Sequence, residues 1–270
     1  MNRWDLTRAL LALALLAAPS AAPAQQQPNP SQEKPKEPIP PITDADRAAA
    51  FPPAMEGHTV HDQKWTYFVL FDQLEWQGTD SGGLKLENRT WIGGDIDRLW
   101  LRAEGESSDG RLENASVHAL WGRSVSRWWD LVAGVRQDVR PGDPQTWAAV
   151  GIQGLAPYWF EVEATAYIGA EARTRLSLEA EYDLLLTNRL VLQPVVETEI
   201  YGKNDPERGI GAGLSSIEAG LRLRYEVRRE LAPYVGFTWH RSFFGTADRL
   251  RADGQDVGGA RLAIGFRTWF

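Results

Sequence analysis

The chain has 270 residues, carries 29 Lys and Arg against 36 Asp and Glu for a formal net charge of −7, and contains no cysteine. The missing cysteines exclude disulfides, zinc-thiolate and iron–sulfur sites and a cysteine nucleophile. The acidic balance argues against nucleic acid as a partner, because nucleic-acid binders usually have a basic face. Hydrophobic residues make up 43% of the sequence, yet the only candidate for the run of about 20 apolar residues that a membrane-spanning helix needs lies at the very start.

The first 24 residues have the pattern of an export signal. Arg3 and Arg8 give a positive start, an apolar run covers residues 9–18, and Ala22 and Ala24 provide a small-residue cleavage site. We expect cleavage after Ala24. An uncleaved N-terminal anchor is the alternative, although it needs a longer apolar run.

Residues 25–63 follow as a tail rich in Pro, Gln, Glu and Lys. Because such a segment buries too little apolar surface to offset its ordering entropy, we expect a disordered periplasmic tail. Near its end stand Met55, His58, His61 and Asp62. One thioether and two imidazoles suit copper, and imidazole also suits zinc. Spacing alone leaves the alternative that these are solvated polar residues of a flexible linker.

Residues 64–270 alternate between apolar and polar positions, as in the segment 159–170, where Phe160, Val162 and Ile168 oppose Glu161 and Glu163. Strict alternation predicts strands with one apolar and one polar face. In a soluble sandwich the apolar faces would meet inside. In a membrane barrel they would meet lipid, and the charged faces would line the lumen. We expect strands near residues 64–76, 84–92, 95–105, 111–122, 128–139, 145–154, 158–170, 174–186, 190–202, 212–227, 232–243 and 259–270.

Three observations favour an all-β fold, a transmembrane antiparallel β-barrel of the outer-membrane type. The predicted strands are longer than the 5 or 6 residues that are usual in globular sheets, at roughly the 9 to 11 that a spanning strand needs. Tight turns alternate with longer connections, of which 203–211 and 244–258 are the longest. The chain ends in an aromatic strand, and outward aromatic side chains gather near the periplasmic ends of the strands as a girdle. The girdle residues are Trp121, Trp129, Tyr158, Phe160, Tyr182, Tyr225, Phe266 and Phe270. The barrel has twelve strands if Gly93 and Gly94 form a hairpin, and ten otherwise.

The predicted lumen is charged and tilts towards acidic. This predicts either a plug of mutually satisfied ion pairs or a path or binding site for cations. His118 and His240 also point inward, as structural histidines or as metal ligands. An enzyme is not supported, because the four histidines show no Ser/His/Asp spacing. The inward charges of this register include Asp130, Asp138, Glu161, Glu163, Glu179, Glu181, Asp183, Glu197, Glu199, Glu218, Glu226, Arg136, Arg175, Arg222, Arg224, Arg261 and Arg267.

Several short motifs stand in succession along the chain: AAFP at 49–52, GHTVHD at 57–62, FDQLEW at 71–76, WIGGD at 91–95, RLWL at 98–101, LAPY at 155–158 and LAPYVG at 231–236. Together these motifs resemble the copper resistance protein B family of outer-membrane proteins. The resemblance implies a role in copper tolerance and homeostasis at the outer membrane, with a periplasmic N-terminal region rich in Met and His. Here that region retains only Met55, His58 and His61, which is fewer donors than the family pattern.

We therefore expect a protein of the outer membrane that captures or passes copper at its periplasmic side and in its lumen. Its expected partners are outer-membrane lipid, copper, and a periplasmic copper oxidase or copper chaperone. The alternative is a general small-solute channel, or a plugged structural barrel, without metal specificity.

Overall fold

The computed structural model describes residues 40–50, 64–78, 82–108 and 110–270. They belong to two compact units, Met1–Thr59 and Val60–Phe270. In the first unit, helix α1 (Asp44–Ala50) begins with a reciprocal cap: Thr43 N and Oγ1 donate to Asp46 Oδ2 at 2.8 and 2.7 Å, and Asp46 N donates to Thr43 Oγ1 at 3.2 Å. The side-chain and backbone hydrogen bonds from Thr43 lower the pKa of the Asp46 carboxyl. The helix lies within the tail predicted to be disordered, and most of that tail lies outside the described residues.

The second unit is a closed antiparallel ring of strands. The last strand pairs with the first, and β9 pairs with β10 beyond the end of β8, so that β8 and β9 share one of twelve positions in the ring. The strands are β1 (Thr66–Gln77), β2 (Gly83–Gly93), β3 (Asp97–Ser108), β4 (Arg111–Ser124), β5 (Trp129–Arg140), β6 (Gln145–Ala156), β7 (Phe160–Gly169), β8 (Thr174–Glu181), β9 (Leu184–Leu185), β10 (Leu190–Tyr201), β11 (Gly213–Tyr225), β12 (Leu231–Ser242) and β13 (Gly258–Trp269).

The faces of these strands are the reverse of those in a soluble protein. Val150 and Leu262 point outward and are 56% and 54% exposed, whereas Glu75 and Arg222 point inward and are 2% and 3% exposed. Apolar side chains outside and charged side chains inside are the pattern of a membrane barrel. The predicted barrel fold is therefore confirmed.

The prediction of twelve strands is also confirmed. A tight turn follows Gly93, in which Gly94 N donates to Asp97 O at 3.0 Å, so β2 and β3 are separate strands. The ten-strand alternative is wrong for this reason. Within β1, the pairing with β2 shifts between Phe71 and Gln73, and this bulge turns both Asp72 and Gln73 into the interior.

The two ends of the barrel differ, as the sequence predicts. The turn end carries the start of β1, the end of β13 and connections of three to five residues (94–96, 125–128, 157–159, 186–189 and 226–230); the loop end carries the connections 202–212 and 243–257. Of the eight predicted girdle aromatics, six are more than a third exposed, at or near the turn end: Trp121, Tyr158, Phe160, Tyr225, Phe266 and Phe270.

One element was not predicted. Helix α2 (Phe244–Ala252) lies in the last long loop, with Thr246 and Ala247 buried. Thr246 Oγ1 accepts a hydrogen bond from Gly211 N at 2.9 Å and lies 2.9 Å from Ser215 Oγ. These contacts attach the helix to β11 and to the other long loop. Among the described residues, neither helix has the length and apolar content to cross a membrane.

Candidate functional site

The lumen encloses two charged chambers, one towards each end of the barrel. The loop-end chamber has a volume of about 380 Å³ and includes Pro141, Gln145 and Arg208 in its lining. The turn-end chamber has a volume of about 710 Å³ and includes Ser126 and Trp128, beside a short turn. Both volumes lie in the range of about 300–1,000 Å³ that is typical of small-molecule sites.

Four charged side chains line both chambers: Arg89, Arg102, Glu163 and Glu179. Arg89 Nη2 donates to Glu179 Oε1 at 2.5 Å. Arg102 Nη1 donates to Glu163 Oε1, and its Nη2 donates to Gln153 Oε1 at 2.5 Å. Because these four side chains lie where the chambers meet, we call them the septum.

Other ion pairs belong to the wall of the loop-end chamber. Arg175 Nε and Nη2 donate to Glu199 Oε2 and Oε1 at 2.5 and 2.7 Å, a bidentate pair between neighbouring strands. Arg136 Nε donates to Asp138 Oδ1 at 2.6 Å, again between side chains of one wall. These pairs neutralise charge along the wall, and they do not extend across the chamber.

A buried polar cluster lies inside the barrel, outside the lining of both chambers. Arg222 Nε donates to Glu75 Oε2 at 3.0 Å, and Arg222 Nη2 donates to Gln73 Oε1 at 2.9 Å and to Glu75 Oε1 at 3.2 Å. Tyr234 Oη donates to Glu75 Oε2 at 2.9 Å. The side chains of Arg222 and Glu75 are 3% and 0% exposed.

An apolar cluster packs inside the barrel from β4 to β7: Leu120, Val132, Trp147, Ala149 and Tyr167.

The chambers are nearly balanced in charge, with an acidic excess smaller than the predicted inward residues alone indicate. Ten Asp or Glu and nine Lys or Arg line the loop-end chamber, and six and five line the turn-end chamber. The prediction left out the basic residues of β2 and β3. Lys85, Arg89 and Arg102 balance the glutamates of the opposite wall, and Lys85 Nζ lies 2.9 Å from Glu218 Oε1.

The sequence contained a signal for these missed residues. In β2, Lys85, Glu87 and Arg89 alternate with outward Leu84 and Leu86. This is the same period of two that located the inward charges of the later strands. The pairing of each charge across the barrel depends on ring closure, which no local pattern encodes.

His118 lies in the wall of the loop-end chamber on β4. Its Nε2 is 3.4 Å from Ser116 Oγ and 3.6 Å from Glu104 Oε1, and its ring meets Tyr167 edge-on at 6.1 Å between centroids. Its Nδ1 is buried and has no hydrogen-bond partner among the described residues. Arg136 Nη2 approaches the same Glu104 carboxylate at 3.4 Å, which places a guanidinium close to the imidazole.

His240 lies on β12, opposite Glu218 of β11 and Gly259 of β13 in register. It does not line the loop-end chamber that contains His118, so the structure does not bring the two histidines together. Within the described part of the chain, no group of three or more His, Asp or Glu side chains has the arrangement of a metal site. The main predicted metal ligands, which are Met55, His58, His61 and Asp62, lie outside the described residues.

Ionic contacts also hold the loop-end rim together. Arg173 Nη1 donates to Asp205 Oδ2 at 2.8 Å, and Arg208 Nε lies 3.5 Å from the same Oδ2 atom. Arg208 Nη1 also donates to Pro141 O at 2.6 Å. Three connections at this end are thereby joined around the chamber mouth.

A closed ring of twelve strand positions, apolar outside and charged inside, with chambers towards both ends, defines a porin-like β-barrel of the outer-membrane type. The family model described as copper resistance protein B precursor (CopB) matches residues 65–270. The chain belongs to the copper resistance protein B family.

Similar proteins agree with both statements. A copper resistance protein B homolog of Pseudomonas syringae pv. tomato is 54% identical over 94% of this chain and 84% of its own length. Copper resistance protein B of Escherichia coli is 51% identical over 86% of this chain and 79% of its own length. Among solved structures, the NanC porin superposes with a TM-score of 0.51 at 9% identity, covering 76% of this chain and 100% of NanC, which is a likeness of fold.

Proposed function

We propose that this protein is a non-enzymatic copper-homeostasis protein of the outer membrane, which captures copper on its tail and passes it through the charged lumen. Copper is the cargo of this function. The observation that carries the proposal is the identity of more than half of all aligned residues with copper resistance proteins, over most of the chain. The tail and the barrel contribute different chemistry.

The tail supplies soft donors. Met55, His58, His61 and Asp62 fall within eight residues of one another, a spacing at which one short segment can supply all four donors to a single ion. Thioether sulfur favours Cu(I), and imidazole suits both copper oxidation states. Mg²⁺ and Ca²⁺ prefer all-oxygen shells, so this donor set discriminates against them.

The barrel supplies a path. After removal of residues 1–24 as a signal peptide, the tail enters β1 at the turn end, so we place the turn end in the periplasm and the long loops outside the cell. The turn-end chamber then lies towards the periplasmic end of the barrel. Its wall carries carboxylates, including Asp95 and Asp130, which attract cations.

Copper titration of the purified full-length protein tests the capture step. We expect Cu(I) and Cu(II) to bind, and a Met55→Ala/His58→Ala/His61→Ala variant to lose most of that binding. His240→Asn serves as the matched control, because it removes an imidazole from the barrel and leaves the tail intact. Capture by the tail is refuted if the triple variant binds copper as tightly as the unmodified protein, or if neither binds it.

A second candidate function is a small-solute channel without metal specificity. The observation that favours it is the pair of polar chambers, which together extend towards both ends of the barrel. Planar-bilayer recordings with and without copper separate the two. A steady conductance that does not respond to copper, from a protein that binds none, supports the channel.

A further inference from the structure

The septum differs from the other charged groups of the lumen because of where it lies in the ring. Arg89 and Arg102 are directly opposite each other in the pairing of β2 with β3. Glu163 and Glu179 are directly opposite each other in the pairing of β7 with β8. The strands of Arg89 and Glu179 are six positions apart in the ring of twelve, which puts these residues on facing walls.

Two arginines on one wall therefore extend to two glutamates on the other. We propose that these two ion pairs form a septum that closes the lumen between the chambers and selects inorganic ions by charge, with the glutamate pair as the step that binds cations. This inference rests on the proposed passage of ions through the barrel. It does not depend on copper capture by the tail.

The energetics favour a closed septum at rest. Like charges directly opposite on neighbouring strands repel each other, so each like-charged pair is stabilised by the opposite pair across the lumen. Arg89 also has a partner on its own strand, since its Nε donates to Glu87 Oε1 at 2.8 Å. The four side chains are between 8% and 21% exposed, which weakens screening by water. Each arginine thus neutralises a carboxylate that otherwise stands beside another carboxylate.

The same geometry predicts how the septum selects. Cations that enter from either chamber can replace the guanidinium groups on Glu163 and Glu179, one cation for each carboxylate, since the carboxylates then keep the same number of positive partners. The same carboxylates repel an anion unless the arginines turn towards it. Rings and pairs of fixed charge set selectivity in this way in other pores.

The remaining ion pairs do not share this position. Arg175 and Glu199 lie on adjacent strands and line the loop-end chamber but not the turn-end chamber. Arg222 and Glu75 line neither chamber. Arg175 and Glu199 therefore provide a control pair with the same chemistry and no place in the septum.

Conductance of the full-length protein in planar bilayers, in a KCl gradient, tests the septum. We expect low conductance from the unmodified protein. Arg89→Gln/Arg102→Gln should raise it several-fold and shift the reversal potential towards cation selectivity. Glu163→Gln/Glu179→Gln should also raise conductance but shift the reversal potential towards anion selectivity. The control Arg175→Gln/Glu199→Gln should leave the reversal potential unchanged.

The septum is refuted if both septum variants show the conductance and selectivity of the control, or if they shift selectivity in the same direction. A charge-reversed pair, Arg89→Glu with Glu179→Arg, keeps one positive and one negative partner across the lumen and covers the case in which a neutral variant does not fold. We expect it to restore low conductance, and a conductance as high as that of the neutral variants overturns the proposal. Because potassium is the probe, these results are independent of the copper titration.

Discussion

Replacement of Arg222 by Met should destabilise the barrel more than replacement of any exposed arginine. Arg222 makes three hydrogen bonds, two to Glu75 and one to Gln73. The Glu75 side chain is fully buried. Met fills much of the vacated volume without a charge, so the main effect is a buried carboxylate without its guanidinium.

The structure sets the size of this effect. Breaking a buried ion pair on one side typically costs about 3–5 kcal/mol. Glu75 keeps two neutral donors, Tyr234 Oη at 2.9 Å and Gln77 Nε2 at 2.8 Å, so we expect a loss near the lower end, about 3 kcal/mol. A loss of this size shifts the folding equilibrium by roughly a hundredfold.

Urea-induced unfolding in phospholipid vesicles, followed by tryptophan fluorescence, measures this loss. Arg251→Met is the matched control, because Arg251 pairs with Asp248 on the exposed face of α2, where the two side chains are 58% and 75% exposed. It should change the free energy of unfolding by less than about 0.5 kcal/mol. The double variant Glu75→Gln/Arg222→Met should recover most of the loss, since neither partner of this pair then leaves an uncompensated buried charge.

Two results would refute this reasoning. One is an Arg222→Met variant whose free energy of unfolding falls by no more than that of the Arg251→Met control. The other is a double variant as unstable as the single one, which would mean that packing or the Gln73 contact, and not the uncompensated carboxylate, determines stability.

Two further predictions test the lipid-facing surface and the sheet. Val150→Arg, on the outward face in the middle of β6, should destabilise the barrel in vesicles by about 2–4 kcal/mol. Leu112→Arg, on the outward face near the loop end of β4, should cost only about 0–1 kcal/mol. Equal unfolding free energies for the two variants would contradict the membrane orientation. Gly134→Ala should lower stability by about 1–3 kcal/mol, because a Cβ there would lie 2.1 Å from Ala119 O, and an unchanged urea midpoint would show that the strands separate without cost.

The sequence predicts the barrel well because its signals are local. A side chain's face follows from period-two alternation, so outward Val150 and inward Glu163 are both readable along one strand. The Gly93–Gly94 turn likewise signals its own hairpin. Helix α2 carries no such signal, since it is held by contacts of Thr246 with Gly211 and Ser215 on other segments.

The septum depends on information that alternation does not contain. The pattern places Arg89 and Glu179 on the lumen side, but their pairing requires the number of strands and the stagger of the closed ring. The bulge in β1 shows the same limit, because it turns Asp72 and Gln73 inward together where strict alternation places only one of them. The metal-binding prediction needs no tertiary contact, because it rests only on the types of donor side chain in the tail.

The central claim, that copper captured by the tail passes through this barrel, is tested most directly by copper flux across vesicles that contain the purified full-length protein. We predict faster copper movement than in protein-free vesicles, and a marked slowing in the Met55→Ala/His58→Ala/His61→Ala variant while its potassium conductance stays unchanged. Copper flux that equals that of protein-free vesicles, or that is identical in the triple variant, would contradict the account.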